Sequence, residues 1–221
     1  QRLVTARELR LGATHPETGS ARQNLESVQR QLAGAPTALP VTRDVVESAL
    51  LRVAPGPLRP YSTYDFGRAR DESASSVLVP DDDFYAYWQQ AKKVVPAGWQ
   101  AFIGTSRWLG HEKHDGKAEL VICRGGSQFD CLRTARIEPA NHGLSTEDVV
   151  RVMEDYHRRF GVRIVQAETD TLGFLLLKQP ADVEAFVDEL IDFCMDLEDI
   201  GRDAVREAVT SPSRYVSLWW D

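Results

Sequence analysis

Apolar residues recur with helical spacing at two places in the second half of the chain. Val149, Val152, Met153, Tyr156 and Phe160 fall at i, i+3, i+4, i+7 and i+11, on one face of a predicted helix. Ser145-Thr146-Glu147-Asp148 supplies capping chemistry ahead of that run, and Gly161 stops it. After Pro180, the positions Val183, Phe186, Val187, Leu190, Ile191 and Cys194 predict a second helix with a wide buried face. Strand-like stretches surround these helices, at Val162 to Ala167, Leu172 to Lys178 and Tyr215 to Trp220, with a short helix near Arg202 to Val209. Upstream, Phe84, Tyr87, Trp88, Ala91 and Val95 share one helical face behind Asp81-Asp82-Asp83, whose acids suit the positive helix end. Ala101 to Thr105, Glu119 to Cys123 and Cys131 to Ile137 are predicted as strands.

The order β-α-β-β-α-β that ends this series matches a ferredoxin-like split βαβ arrangement. The expected fold class is therefore α+β, a two-layer sandwich with helices on one face of an antiparallel sheet. Residues 43–53 read as a short amphipathic helix carrying Val46, Ala49, Leu50 and Val53. The segment from Ala54 to Ser76, with Pro55, Pro57 and Pro60, reads as a linker or surface loop. Three regions are thus expected: a helical hairpin over 1–34, a connector with a short helix over 35–76, and an α+β domain over 77–221.

Composition narrows the functional classes. Thirty-three acids face 26 bases, for a net charge of −7. A chain so charged repels a phosphate backbone, so a broad nucleic-acid-binding face is not expected. No apolar run is long enough for a membrane span, and the first residues carry neither a signal-peptide pattern nor an initiator Met. The chain reads as a processed or excised piece of a cytoplasmic protein. Three cysteines at irregular spacing suit a reducing compartment rather than a disulfide framework.

Two resemblances add to this. Leu11-Gly12, His15-Pro16-Glu17-Thr18, Ala21 and Asn24-Leu25 resemble one tetratricopeptide unit of the kinesin-light-chain type. A single such repeat cannot bury its own face, so it ends a longer array or packs on the next domain. Farther on, Tyr156-His157-Arg158-Arg159-Phe160-Gly161, the Phe193-Cys194-x-Asp196 element and the terminal Leu218-Trp219-Trp220-Asp221 resemble the bacterial family called domain of unknown function 4253. The resemblance spans about 77–221 and is densest from 129 onward. Met195 stands where the pattern leads one to expect Pro. The family implies no established activity. A tetratricopeptide-like stretch ahead of such a domain suggests, by analogy, a modular protein of signalling, defence or toxin–immunity loci.

Each chemistry-bearing cluster has a plainer reading beside it. His111, His114 and Asp115 are weak metal candidates: HExxH spacing is absent, and a solvated loop explains them better. Cys123, Cys131 and Cys194 fit small apolar core positions better than nucleophiles. Asp196, Asp199 and Asp221 are candidates for a carboxylate set, with His142 beside them; acids at a negative helix end need partners such as Arg133, Arg158, Arg159 or Arg163. Trp219 and Trp220 point to opposite faces of the last strand, so one enters the core and the other needs cover or a contact. Phosphate-loop, nucleophile-elbow and deaminase motifs are absent.

The favoured reading is a non-enzymatic protein-binding module, immunity-like or regulatory, that presents an acidic, Trp-bearing surface to a basic protein partner such as a toxin, without a cofactor. Its rival is an enzyme, or a sensor of a small ligand or metal, with an acidic site around Asp196, Asp199 and Asp221.

Overall fold

The computed structural model describes residues 41–62, 70–104 and 116–220. Residues 42–221 form one compact unit. The predicted hairpin over 1–34 lies outside the described residues.

Helix α1 (Arg43–Val53) leads into strands β1 (Arg59–Ser62) and β2 (Arg70–Pro80). Helix α2 (Phe84–Val94) follows, then β3 (Trp99–Ile103), β4 (Lys117–Arg124) and the short helix α3 (Asp130–Ala135). Helix α4 (Thr146–Phe160) precedes the hairpin β5 (Val162–Ala167) and β6 (Thr171–Leu176). Helices α5 (Val183–Phe193), α6 (Leu197–Ile200) and α7 (Arg202–Thr210) then lead to β7 (Tyr215–Trp219). Among the described residues seven strands join in one sheet, in the order β1-β2-β4-β3-β5-β6-β7.

The α+β class holds, and four details differ from expectation. First, residues 59–62 and 70–76, read as linker, are strand: β2 pairs with both β1 and β4. Second, the expected strand at Cys131 to Ile137 is α3 and its exit. Alternating Cys131, Ala135 and Ile137 imitate a strand, but Ser127 N–H donates to Asp130 Oδ2 at 3.0 Å to open a helix, and Arg136 closes it in the left-handed region at φ 53°. Third, a split βαβ inserts a strand between its two parallel strands. Here the parallel strands β3 and β5 are direct neighbours, and every other pair is antiparallel.

Helices also cover both faces of the sheet rather than one. Val121 and Cys123 of β4 turn toward the main core, which α3, α4, α5 and α7 close with Leu132, Met153, Phe186 and Val209. Ala118, Leu120 and Ile122 alternate to the opposite face and are equally buried. There α1 and α2 pack, with Val46, Leu50, Trp88 and Ala91 buried. The near-continuous apolar character of β4 follows from this double cover.

The two strongest helix readings are confirmed in detail. Ser145 and Asp148 form a capping box on α4, and Val149, Met153 and Tyr156 are buried. Phe186, Val187, Leu190 and Ile191 are buried on α5. Phe186, Leu218 and Trp220 belong to the main core, and Val152 packs against it.

The two halves of the sheet meet at one parallel register pair, Ile103 with Gln166. Toward the start of β5, the Gln128 side chain takes the place of a strand. Its amide donates to Val162 O at 2.8 Å, and its oxygen accepts from Ile164 N–H at 3.0 Å.

Candidate functional site

The end of α5 gathers most of the sequence-derived candidates. Asp182 caps α5 by accepting from Ala185 N–H at 3.0 Å, and the helix runs to Cys194. The chain then starts a new one-turn helix, α6, with Asp196 at its N-cap and Glu198 and Asp199 in its first turn. These acids were expected at a negative helix end. They do follow that end of α5, and they also open the one-turn helix α6, where Asp196 makes no capping hydrogen bond.

His142 arrives from a short 3₁₀ turn over Ala140–His142, closed by Gly143 at φ 68°. Its Nε2 lies 3.2 Å from Asp196 Oδ2, with both side chains largely buried. The Cys194 thiol donates to Trp219 O at 3.2 Å and ties this turn to β7. Burial pushes that thiol up to about 11. Cys131 is likewise pushed well up, by burial first and then by neighbouring Cys123. All three cysteines are buried and unpaired by disulfide. Protonated, sealed thiols do not act as nucleophiles.

The two tryptophans separate as strand alternation requires. Trp220 is 3% exposed. It packs edge-on against Phe193 at 5.4 Å, and its indole N–H donates to Phe193 O at 3.2 Å. Trp219 is 40% exposed, and two other large apolar side chains, Met195 and Ile200, stand exposed on the neighbouring turn.

Asp196 meets His142, Asp199 is exposed on α6, and Asp221 lies outside the described residues. His111, His114 and Asp115 lie outside them too. Among the described residues no group of three or more His, Cys, Asp or Glu side chains is placed to hold a metal ion. Of the arginines offered as partners, Arg133 pairs with Glu147 at 2.8 Å, Arg158 with Asp155 at 2.7 Å, and Arg159 with Glu189 at 2.6 Å. Arg163 takes a different place.

That place is a groove of about 740 Å³ at the joint between the sheet halves, which sequence reasoning missed. Tyr85, Trp88, Lys92 and Lys93 of α2 form one wall. Arg163 of β5 and Leu177 beyond β6 form the other, with Gln128 and His157 at the seam. The sequence signal was the pair Lys92-Lys93 ending an aromatic helix. Nothing local announced that Arg163 would face it.

One family model, Domain of unknown function (DUF4253), matches residues 119–221, just under half of the chain. The match starts later than the residue 77 expected from the resemblance. No curated protein and no solved structure matches the chain. Among the described residues no helix is long and apolar enough to cross a membrane.

Proposed function

We propose that this chain is a non-catalytic binding module, regulatory or immunity-like, whose contact surface is the α6–β7 end. The observation that carries the reading is the exposure of Trp219 on β7 and of Met195, Glu198, Asp199 and Ile200 on the turn that Cys194 ties to the β7 backbone. Exposed aromatics flanked by charge are the usual anchors and rim of a protein interface. The charge there is available. Acids on α5 and α7 are held by arginines, as Arg202 and Arg206 hold Glu184. Glu198 and Asp199 have no ion pair among the described residues. A partner with a basic surface fits both features, and the net charge of −7 would speed its encounter.

The rival reading, a small-ligand sensor or enzyme, draws support from the His142–Asp196 pair. That pair is equally a structural tie between the 3₁₀ turn and α6.

The test is affinity capture from the native host with the full chain as bait, run beside Trp219→Ala and the double variant Glu198→Lys, Asp199→Lys. Basic proteins held by the unaltered bait, released by moderate salt and lost with both variants support the reading. Identical capture by all three baits overturns it. So does substrate turnover that disappears in His142→Ala.

A further inference from the structure

We propose that the groove between α2 and the β5–β6 hairpin binds a small organic phosphate with a flat body, of the nucleotide class. Among the described residues its titratable lining is Tyr85, Lys92, Lys93, His157 and Arg163, with no carboxylate. In a chain with net charge −7, that is a local reversal of sign. Elsewhere the arginines of α4 and α7 spend their charge on neighbouring acids. Lys93 and Arg163 are exposed and have no acid partner among the described residues, and Lys92 reaches only the Gln100 amide oxygen, at 3.2 Å. Three cations facing one space, from a helix and a strand, suit a phosphate monoester, which carries close to two negative charges near neutrality.

The rest of the wall is not built for a bare ion. Tyr85 is 38% exposed and stacks on buried Trp88 at 5.5 Å with 29° between the planes. The underside of the Tyr85 ring is therefore fixed, and its outer side is free to receive a flat group. Leu175 and Leu177 add apolar surface. Trp88 gives the groove a built-in reporter. It is 3% exposed, and its indole N–H is sealed from solvent with no hydrogen-bond partner among the described residues. A flat group seated on Tyr85 would be felt at that N–H through the stacked rings rather than by direct contact. A volume of about 740 Å³ suits a ligand of nucleotide size. This site is separate from the α6–β7 surface, so either can fail alone.

The test is titration calorimetry of the full chain with AMP, adenosine and inorganic phosphate. AMP should bind, with adenosine and phosphate each at least about tenfold weaker. The exposed double variant Lys93→Gln, Arg163→Gln should weaken AMP by about tenfold or more while its thermal unfolding stays unchanged. In parallel, the indole N–H resonance assigned through Trp88→Phe should shift on adding AMP. No heat with AMP at millimolar concentration overturns the proposal, as does binding unaltered in the double variant. Phosphate binding as tightly as AMP overturns the role given to Tyr85.

Discussion

Tyr215 lies across Gly173. The two sit diagonally on paired strands, since Gly173 registers with Ser217 and Tyr215 with Leu175. The phenol ring crosses the bare glycine and its hydroxyl donates to Gln166 Oε1 at 3.2 Å. A Cβ on Gly173 would collide with that hydroxyl and stand 3.0 Å from Gln166 Cβ. Gly173→Ala should therefore destabilise the fold by about 1–3 kcal/mol through overpacking. Tyr215→Phe, which keeps the ring and removes one hydrogen bond, should cost about 1 kcal/mol. Denaturant melts of both variants check the ranking; an alanine variant as stable as the parent would show that the ring moves aside freely.

The tandem tryptophans should behave as opposites. Trp220→Ala empties a core site against Phe193 and should cost about 3–5 kcal/mol. Trp219→Ala should stay within about 0.5 kcal/mol of the parent, as exposed positions do. Thermal melts distinguish them, and equal losses would place Trp219 in the core.

Alkaline pH should unfold this chain early. The Cys194 thiol is raised by burial from 9.0 to about 11, and burial also raises the Tyr156 and Tyr215 phenols. A raised acid is harder to ionise in the folded state than in the unfolded one. The stability it contributes is complete below the unfolded value and is lost as pH climbs from about 9 through about 11. The melting temperature should fall across that window, less steeply in Cys194→Ala. Native protein at neutral pH should also resist alkylation at Cys194, as mass spectrometry can score. Fast native labelling there would contradict the burial.

Gln128 should be intolerant of change for a reason unrelated to chemistry at a site. Gln128→Ala strands Ile164 N–H at the joint of the sheet, leaves Val162 O with only its contact to His157 Nδ1 at 3.0 Å, and should cost about 1–3 kcal/mol. Gln128→Glu keeps the acceptor but sets a carboxylate against a carbonyl, and should recover stability only as pH drops. Hydrogen exchange at Ile164 gives a direct reading; unchanged protection in the alanine variant would mean that water replaces the amide.

Sequence legibility follows the range of the forces involved. Helices α4 and α5 could be read because their caps and apolar stripes are local: Ser145 and Asp148 are three residues apart, and Phe186 and Leu190 four. Helix α3 was misread because Cys131, Ala135 and Ile137 alternate like a strand, while the bond from Ser127 N–H to Asp130 that shapes the entry turn looks like an ordinary turn in the sequence. Strands β1 and β2 hid among prolines and serines, and their pairing is fixed by β4, some forty residues away. Likewise His142 and Asp196 were both singled out, but only the folded chain sets them 3.2 Å apart. The groove escaped notice because Lys93 on α2 and Arg163 on β5 are far apart in the chain and meet only across the joint of the sheet.

The family match begins inside β4, whose neighbours on either side, β2 and β3, are encoded upstream of residue 119. A fragment cut at that boundary would carry a ribbon with both flanks naked, ready to seek hydrogen bonds in a second molecule. The portion that sequence comparison recognises as a unit and the portion that can stand alone in water are thus different lengths, and expression plasmids for this protein should start no later than Thr42.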